Sequence, residues 1–166
     1  YATSYIPTSG GTATRLAEYL GGAGNASTFN STEGVLFFEG SFLNWQEDSY
    51  RIISISDGTN TNRIELGRAY NENKIFTVFT RNNISESINY PAEVTDNNKM
   101  AVKWDSTSLD LYLNGLKVGT RLTGGTIATG SLNQIKLSAA SGAYALNAKT
   151  SQVQVFNTAL TDAELA

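Results

Sequence analysis

The stretch Asn98 to Thr120, NKMAVKWDSTSLDLYLNGLKVGT, decides the fold of this chain, because its turns and its apolar alternation can be solved together. Asn114-Gly115 predicts a two-residue hairpin of type I′, a turn that needs positive φ at both central residues. The register follows. Leu113 faces Leu116, Tyr112 faces Lys117, Leu111 faces Val118 and Asp110 faces Gly119. With Asp105 to Ser108 as the preceding turn, Trp104, Val102 and Met100 lie opposite Leu109, Leu111 and Leu113, while Lys103 pairs with Asp110 and Ala101 with Tyr112. One face is wholly apolar. The other carries Lys103, Asp110, Tyr112 and Lys117 beside small Ala101 and Gly119, the pattern of an antiparallel meander packed on one side only.

Outward from the meander the chain reads as strands separated by turn clusters. Glu33 to Leu43 is apolar on both faces at its start, with Leu36, Phe38 and Phe42 sharing one face. Tyr50 to Ser56 points Ile53 and Ile55 inward, Arg63 to Arg68 does the same with Ile64 and Leu66, and Lys74 to Arg81 reaches the Asn82-Asn83 turn ahead of Ile84 to Tyr90. Leu132 to Ser138 and Lys149 to Phe156 complete the set. Before these, Thr12 to Leu20 reads as extended after Tyr5-Ile6-Pro7, since Pro7 favours an extended Ile6. Only the tail is helical, where Thr161 and Glu164 form a capping box ahead of Leu165. Many short strands with no helical insertions indicate an all-β, two-sheet antiparallel sandwich of jelly-roll type, one domain over residues 1–166.

Composition restricts the chemistry. At 166 residues with 40% hydrophobic and 16% charged side chains, the chain can bury one sizeable core. A net charge of −3, a pI near 4.9 and no basic run argue against nucleic acid and against anionic membrane as partners. No apolar stretch approaches the ~18 residues of a membrane span, so membrane insertion is not expected. The chain holds neither Cys nor His, which removes disulfides, thiolate metal sites and the usual general base of a neutral-pH hydrolase. It starts at Tyr1 and carries no signal-peptide pattern, so it reads as a domain excised from a longer polypeptide.

Two segments carry a family resemblance. The W-D-x-x-x-L-x-L-Y-L-N-G pattern of Trp104 to Gly115 and the V-x-V-F-N-T-A-L-T-D-A-E-L ending of Val153 to Leu165 resemble the closing half of laminin-G-type, concanavalin A-like lectin domains. The opening SYIPTSGGTATRLAE, Ser4 to Glu18, is similar to a segment that starts such domains in bacteriophage structural proteins and multi-modular extracellular bacterial proteins. The resemblance implies a curved jelly-roll sandwich that binds glycans or protein partners, with calcium at the rim in some relatives. Glucanases of this architecture carry E-x-D-x-x-E, which this chain lacks. Its nearest carboxylate pairs are Glu47-Asp48 in a loop and Asp105 with Asp110 around a turn, both read as solvated surface charge.

Binding candidates are the polar and aromatic residues left outside the core. Trp45 sits in a polar loop, Tyr70 in the turn GRAYNEN and Tyr144 in the loop SGAYALN, while Tyr112 projects from the outward face of the meander among Lys103, Asp110 and Lys117. Aromatic faces stack on the C–H faces of sugars and neighbouring polar groups take the hydroxyls; the competing reading is that such rings cap the ends of a sandwich core. Asp57, Asn60 and Asn62 in SDGTNTN could offer oxygen ligands to a structural calcium ion, or simply form an Asx-rich turn. No other cofactor is expected. The resulting expectation is a non-catalytic carbohydrate-binding or adhesion module acting on an extracellular or virion surface. The alternatives are a virion interaction domain with no sugar ligand and, third, a lyase or hydrolase of the same fold.

Overall fold

The structure, a computed structural model, describes residues 10–11, 23–43, 49–70, 73–93 and 96–166. The extended segment expected over Thr12 to Leu20 and the loop residue Trp45 lie outside the described residues. Among the described residues ten strands form two antiparallel sheets. One sheet comprises β1 (Gly34–Phe42), β6 (Asn98–Trp104), β7 (Ser108–Leu113), β8 (Leu116–Leu122) and β10 (Ala148–Phe156), in the order β10-β1-β6-β7-β8. The other comprises β2 (Arg51–Ser56), β3 (Arg63–Arg68), β4 (Lys74–Arg81), β5 (Ile84–Pro91) and β9 (Gln134–Lys136), in the order β5-β4-β3-β2-β9. The chain ends in a single helical turn, α1 (Asp162–Leu165).

Period-2 alternation builds the core between the sheets. Leu36, Phe38, Val102, Trp104 and Leu111 enter from the first sheet and Ile53, Ile55, Ile64, Leu66 and Phe79 from the second, all at most 1% exposed. The rings of Phe38 and Phe42 stack 5.4 Å apart, and loop residues Phe29, Ile127 and Leu132 join the same core. Burial of this many branched and aromatic side chains, at roughly 25 cal/mol per Å² of apolar surface, is the dominant favourable contribution to folding.

The meander register holds from Met100 opposite Leu113 to Trp104 opposite Leu109. Asn114 and Gly115 both take positive φ, 50° and 82°, as the type I′ turn demands. Beyond the turn the pairing departs from the expected one. Tyr112 does face Lys117, but a bulge then sets Leu111 opposite Gly119 and Asp110 opposite Thr120. Val118 is the extra residue and packs against the main core. Gly119 is where a Cβ would collide with Ile88 of β5 in the opposite sheet, so the bulged strand can close on its neighbour only at a glycine.

The expectation that this meander is packed on one side only is wrong. Val35, Ala101 and Tyr112 form a second small core on its outer face, covered by Phe156, Leu160 and Leu165 from the end of the chain. The cover stays in place because Thr161 caps α1 reciprocally with Glu164: its hydroxyl accepts from Glu164 N–H while the Glu164 carboxylate accepts from Thr161 N–H at 2.8 Å.

Candidate functional site

Outward-facing residues of the second sheet form an apolar floor unlike a solvated surface. Ile52, Phe76 and Val78 lie in adjacent strands, with Gly67 between Ile52 and Phe76 and with Glu65 pairing with both Ser54 and Val78. Ser87 and Asn89 of β5 continue the same rows. Antiparallel pairing of β2 with β3 brings Tyr50, just before β2, next to Tyr70, just after β3. The loop after β9 adds Tyr144. The Tyr50 ring stacks on Tyr70 with centroids 6.0 Å apart, meets Tyr144 edge-on at 5.2 Å and meets Phe76 at 5.6 Å. All three tyrosines stay open to solvent, at 36%, 44% and 48% exposure for Tyr50, Tyr70 and Tyr144. Beside them runs a groove of about 310 Å³, lined by Tyr50, Ile52, Glu65, Phe76, Val78, Ser87, Asn89 and Tyr144.

The loop that presents Tyr144 is held tightly. Gly142 N–H donates to Ala139 carbonyl and Ala139 N–H to Ala143 carbonyl, both at 2.8 Å, and Ile52 N–H reaches the Tyr144 carbonyl at 3.3 Å. Tyr144 itself has φ +58°, the left-handed region that a bulky residue occupies at a cost of about 1–3 kcal/mol. Its ring is thereby placed beside Tyr50 instead of turning into the core. Beneath the groove Glu65, 6% exposed, accepts from Ala140 N–H at 3.3 Å and pairs with Arg63 Nε at 3.2 Å. Lys136, also buried, donates from Nζ to the Ala140 carbonyl at 2.7 Å.

Of the seven residues singled out in the sequence, Tyr70 and Tyr144 come together here. Four others lie on the opposite side of the sandwich. Tyr112, expected outside the core, is 1% exposed and its hydroxyl donates to Asp162 Oδ1 at 2.6 Å. Asp110, read as surface charge, is 2% exposed; Lys103 lies 3.2 Å and Lys117 3.5 Å from its Oδ2, and Thr120 Oγ1 donates to Oδ1 at 2.7 Å. Lys117 also meets Asp162 at 2.8 Å and sits 5.6 Å above the Tyr112 ring. A carboxylate on α1 thus lands among two lysines and a phenol. The cause is electrostatic complementarity added to the burial of Leu160 and Leu165.

These contacts shift the ionisation of Asp162, Lys117, Tyr112 and Lys103. Lys117 and then the Tyr112 hydroxyl hold the Asp162 carboxyl far below the usual carboxylate range, and Asp162 in turn raises Lys117. Burial, followed by the bond to Asp162, pushes the Tyr112 phenol up. For Lys103 burial is the largest influence and opposes the charge, yet the bonds to Asp110 and Asp162 and the neighbouring negative charge together outweigh it and the net shift is upward. The four residues form a fastening for the end of the chain and leave no free ring for a ligand. Next to them a cavity of about 470 Å³ is lined in part by Phe37, Phe156, Gln152 and Gln154. At its wall Glu39 accepts from Asn97 at 2.9 Å and Gln152 at 2.7 Å, which lowers its pKa in that order of effect.

Asp57, Asn60 and Asn62 adopt an Asx-turn arrangement. Thr59 N–H and hydroxyl donate to Asp57 Oδ1, Asn62 Nδ2 donates to Asp57 Oδ2, and Asn82 N–H donates to Asn62 Oδ1. The Asn60 carbonyl accepts from Arg63. Both Asp57 carboxylate oxygens, Asn62 Oδ1 and the Asn60 carbonyl thus already accept hydrogen bonds, as in an Asx-rich turn. Among the described residues there is no group of three or more His, Cys, Asp or Glu that could hold a metal ion, and no helix long and apolar enough to cross a membrane.

Tyr50 was missed in the sequence because it reads as the first residue of a strand. The signal that could have found it is spacing: Tyr50 precedes Arg51 by one residue and Tyr70 follows Arg68 by two, so the pairing of Arg51 with Arg68 brings the two rings to one end of the sheet.

The family model for the concanavalin A-like lectin/glucanases superfamily matches residues 41–166. No curated protein sequence matches the chain significantly. Among solved structures, the CBM40 module of Ruminococcus gnavus IT-sialidase bound to α2,3 sialyllactose superposes with a TM-score of 0.67 at 19% identity, over 87% of this chain and 90% of that one. The NanB sialidase of Streptococcus pneumoniae gives 0.67 at 13% identity, over 87% of this chain but 27% of its own. Domain 4 of AbnA, a GH43 extracellular arabinanase from Geobacillus stearothermophilus in complex with arabinotriose, gives 0.59 at 10% identity, over 86% of this chain and 68% of that one. At these identities the likeness establishes the fold alone.

Proposed function

We propose that this chain, which belongs to the concanavalin A-like lectin/glucanases superfamily, is a non-catalytic glycan-binding module whose ligand surface is the tyrosine-lined outer face of the second sheet. The observation that carries the reading is Tyr144. A large ring held half-exposed by a left-handed backbone is costly for folding and serves no core. Beside Tyr50 and Tyr70 it makes an aromatic platform suited to the C–H face of a sugar ring, with Glu65, Ser87 and Asn89 in reach of its hydroxyls. Structural relatives solved with sialyllactose and arabinotriose support glycan as the ligand class.

The non-catalytic part rests on the groove itself. Among the described residues its lining holds one carboxylate, whereas retaining glycosidases need two about 5–5.5 Å apart, and the chain has no His to serve as base. An extracellular location goes with this reading. Glycan-array binding by the domain, repeated with Tyr144→Ala, tests it. Binding should be lost in the variant while the melting temperature stays within about 2 °C of the parent, as expected of an exposed side chain. Binding to no glycan together with concentration-dependent self-association would favour an interaction domain instead.

A further inference from the structure

We infer that the groove selects neutral sugars and discriminates against sialic acids and other anionic sugars, with Glu65 as the specificity-determining residue. The inference rests on the glycan-binding reading and goes further by naming the sugar class. Among the described residues, Glu65 is the one side chain lining the groove that is charged at neutral pH. It is more than nine-tenths buried, and an ionised carboxylate accepts hydrogen bonds but cannot donate them. One oxygen accepts from Ala140 N–H and the other pairs with Arg63 Nε, which leaves each with a further lone pair for a ligand donor. Sugar hydroxyls supply such donors. The carboxylate of a sialic acid, or a sulfate, supplies only acceptors and brings a second negative charge beside the buried Glu65 carboxylate.

The nearby cations do not offset this. Arg63 pairs with Glu65 and donates to the Asn60 carbonyl, and Lys136 donates to the Ala140 carbonyl below the floor. Neither lines the groove. Recognition of a carboxylate calls for a cation or several N–H donors facing the ligand, and the lining offers instead tyrosine hydroxyls, Ser87 and the Asn89 amide. The same fold in the Ruminococcus gnavus module was solved with α2,3 and α2,6 sialyllactose, so the architecture by itself does not exclude sialic acids and the selectivity inferred here rests on the lining residues of this groove.

The test is a glycan array of neutral oligosaccharides paired with their sialylated, uronic or sulfated counterparts, including lactose against α2,3- and α2,6-sialyllactose, followed by calorimetric titration of the hits. The parent protein should prefer the neutral partner of a pair at least tenfold, about 1.4 kcal/mol. Tyr144→Ala should abolish binding. Glu65→Gln, which keeps an acceptor for Ala140 N–H but removes the charge, should shrink the neutral-to-anionic ratio at least threefold. If Glu65→Gln does not fold, Ser87→Lys on exposed β5 places a cation at the groove edge and should raise sialyllactose affinity at least threefold; no gain would count against the assignment. Acidic glycans that bind best and are lost with Tyr144→Ala would overturn the neutral selectivity while the binding face stands. Absence of any binding, or binding indifferent to Tyr144→Ala, would overturn both.

Discussion

The two outer faces of this sandwich hold similar chemistry and put it to opposite uses. Each carries tyrosine, carboxylate and lysine or arginine around a small apolar patch. On the meander side the last residues of the chain lie down over Tyr112 and bring Asp162 to its hydroxyl, so ring and charges are consumed by the fold. On the other side nothing among the described residues lies over Tyr50, Tyr70 and Tyr144, which remain between 36% and 48% exposed. What separates a buried tyrosine from an exposed one is therefore the path of a distant segment and not the local strand pattern.

Substitutions should break this symmetry in a graded way. Tyr112→Ala should have the largest effect on folding, about 3–5 kcal/mol by analogy with buried aromatic truncations, measured as a drop in denaturation midpoint. Glycan binding, measured under conditions where the variant is folded, should be unchanged. Gly115→Val follows at about 1–3 kcal/mol, because φ is +82° there and a Cβ would come 2.6 Å from the Ala166 backbone. Thermal unfolding checks it, and an unchanged midpoint would contradict the turn assignment.

Tyr144→Gly sharpens the contrast, since it should leave stability unchanged or raise it by up to about 1 kcal/mol by relieving left-handed strain, while abolishing binding. Parallel denaturant melts and calorimetric titration read both halves. The smallest effect belongs to Asp162→Asn, visible through pH. A carboxyl with a lowered folded pKa stabilises above its unfolded value of about 3.9 and loses that contribution as pH falls towards the folded value. Lys117, raised, stabilises below about 10.4 and loses its contribution as pH climbs through its folded value. The parent should thus melt a little higher than Asp162→Asn from about pH 5 to 9, and the gap should narrow progressively once pH falls below about 3.9, towards the folded value. No gap at neutral pH would mean that α1 is held by Leu160 and Leu165 alone, and a gap that persists in acid would mean that the Asp162 charge is not its source.

The meander was legible because two constraints coincide in it. Asn114-Gly115 selects one turn, and the alternation of Leu109, Leu111 and Leu113 rejects every other register, so the pairing down to Trp104 with Leu109 follows from local residues. The bulge at Val118 was not legible, since its reason is Ile88 in the opposite sheet, which meets the chain at Gly119. Tyr112 was misjudged for the same kind of reason: its neighbours Ala101 and Lys117 are as expected, but the cover comes from residues about fifty positions later. In the tyrosine face, Tyr70 and Tyr144 could be singled out as loop aromatics, whereas their meeting through Tyr50 depends on strand pairing and on a loop conformation that Tyr does not favour. Local chemistry shows which residues can act, and long-range packing decides which of them are free to.

The bulge at Val118 has a further consequence. β8 is an edge strand with Leu116 and Leu122 more than two-thirds exposed, the kind of border along which one folded molecule can add to another and seed fibrils. The extra residue interrupts the even row of N–H and C=O groups, while Lys117 and Arg121, each paired with a carboxylate, put charged side chains on the same border. A straight strand here would be a template, whereas the bulge that lets Gly119 meet Ile88 also breaks the row of groups that a second copy would have to match.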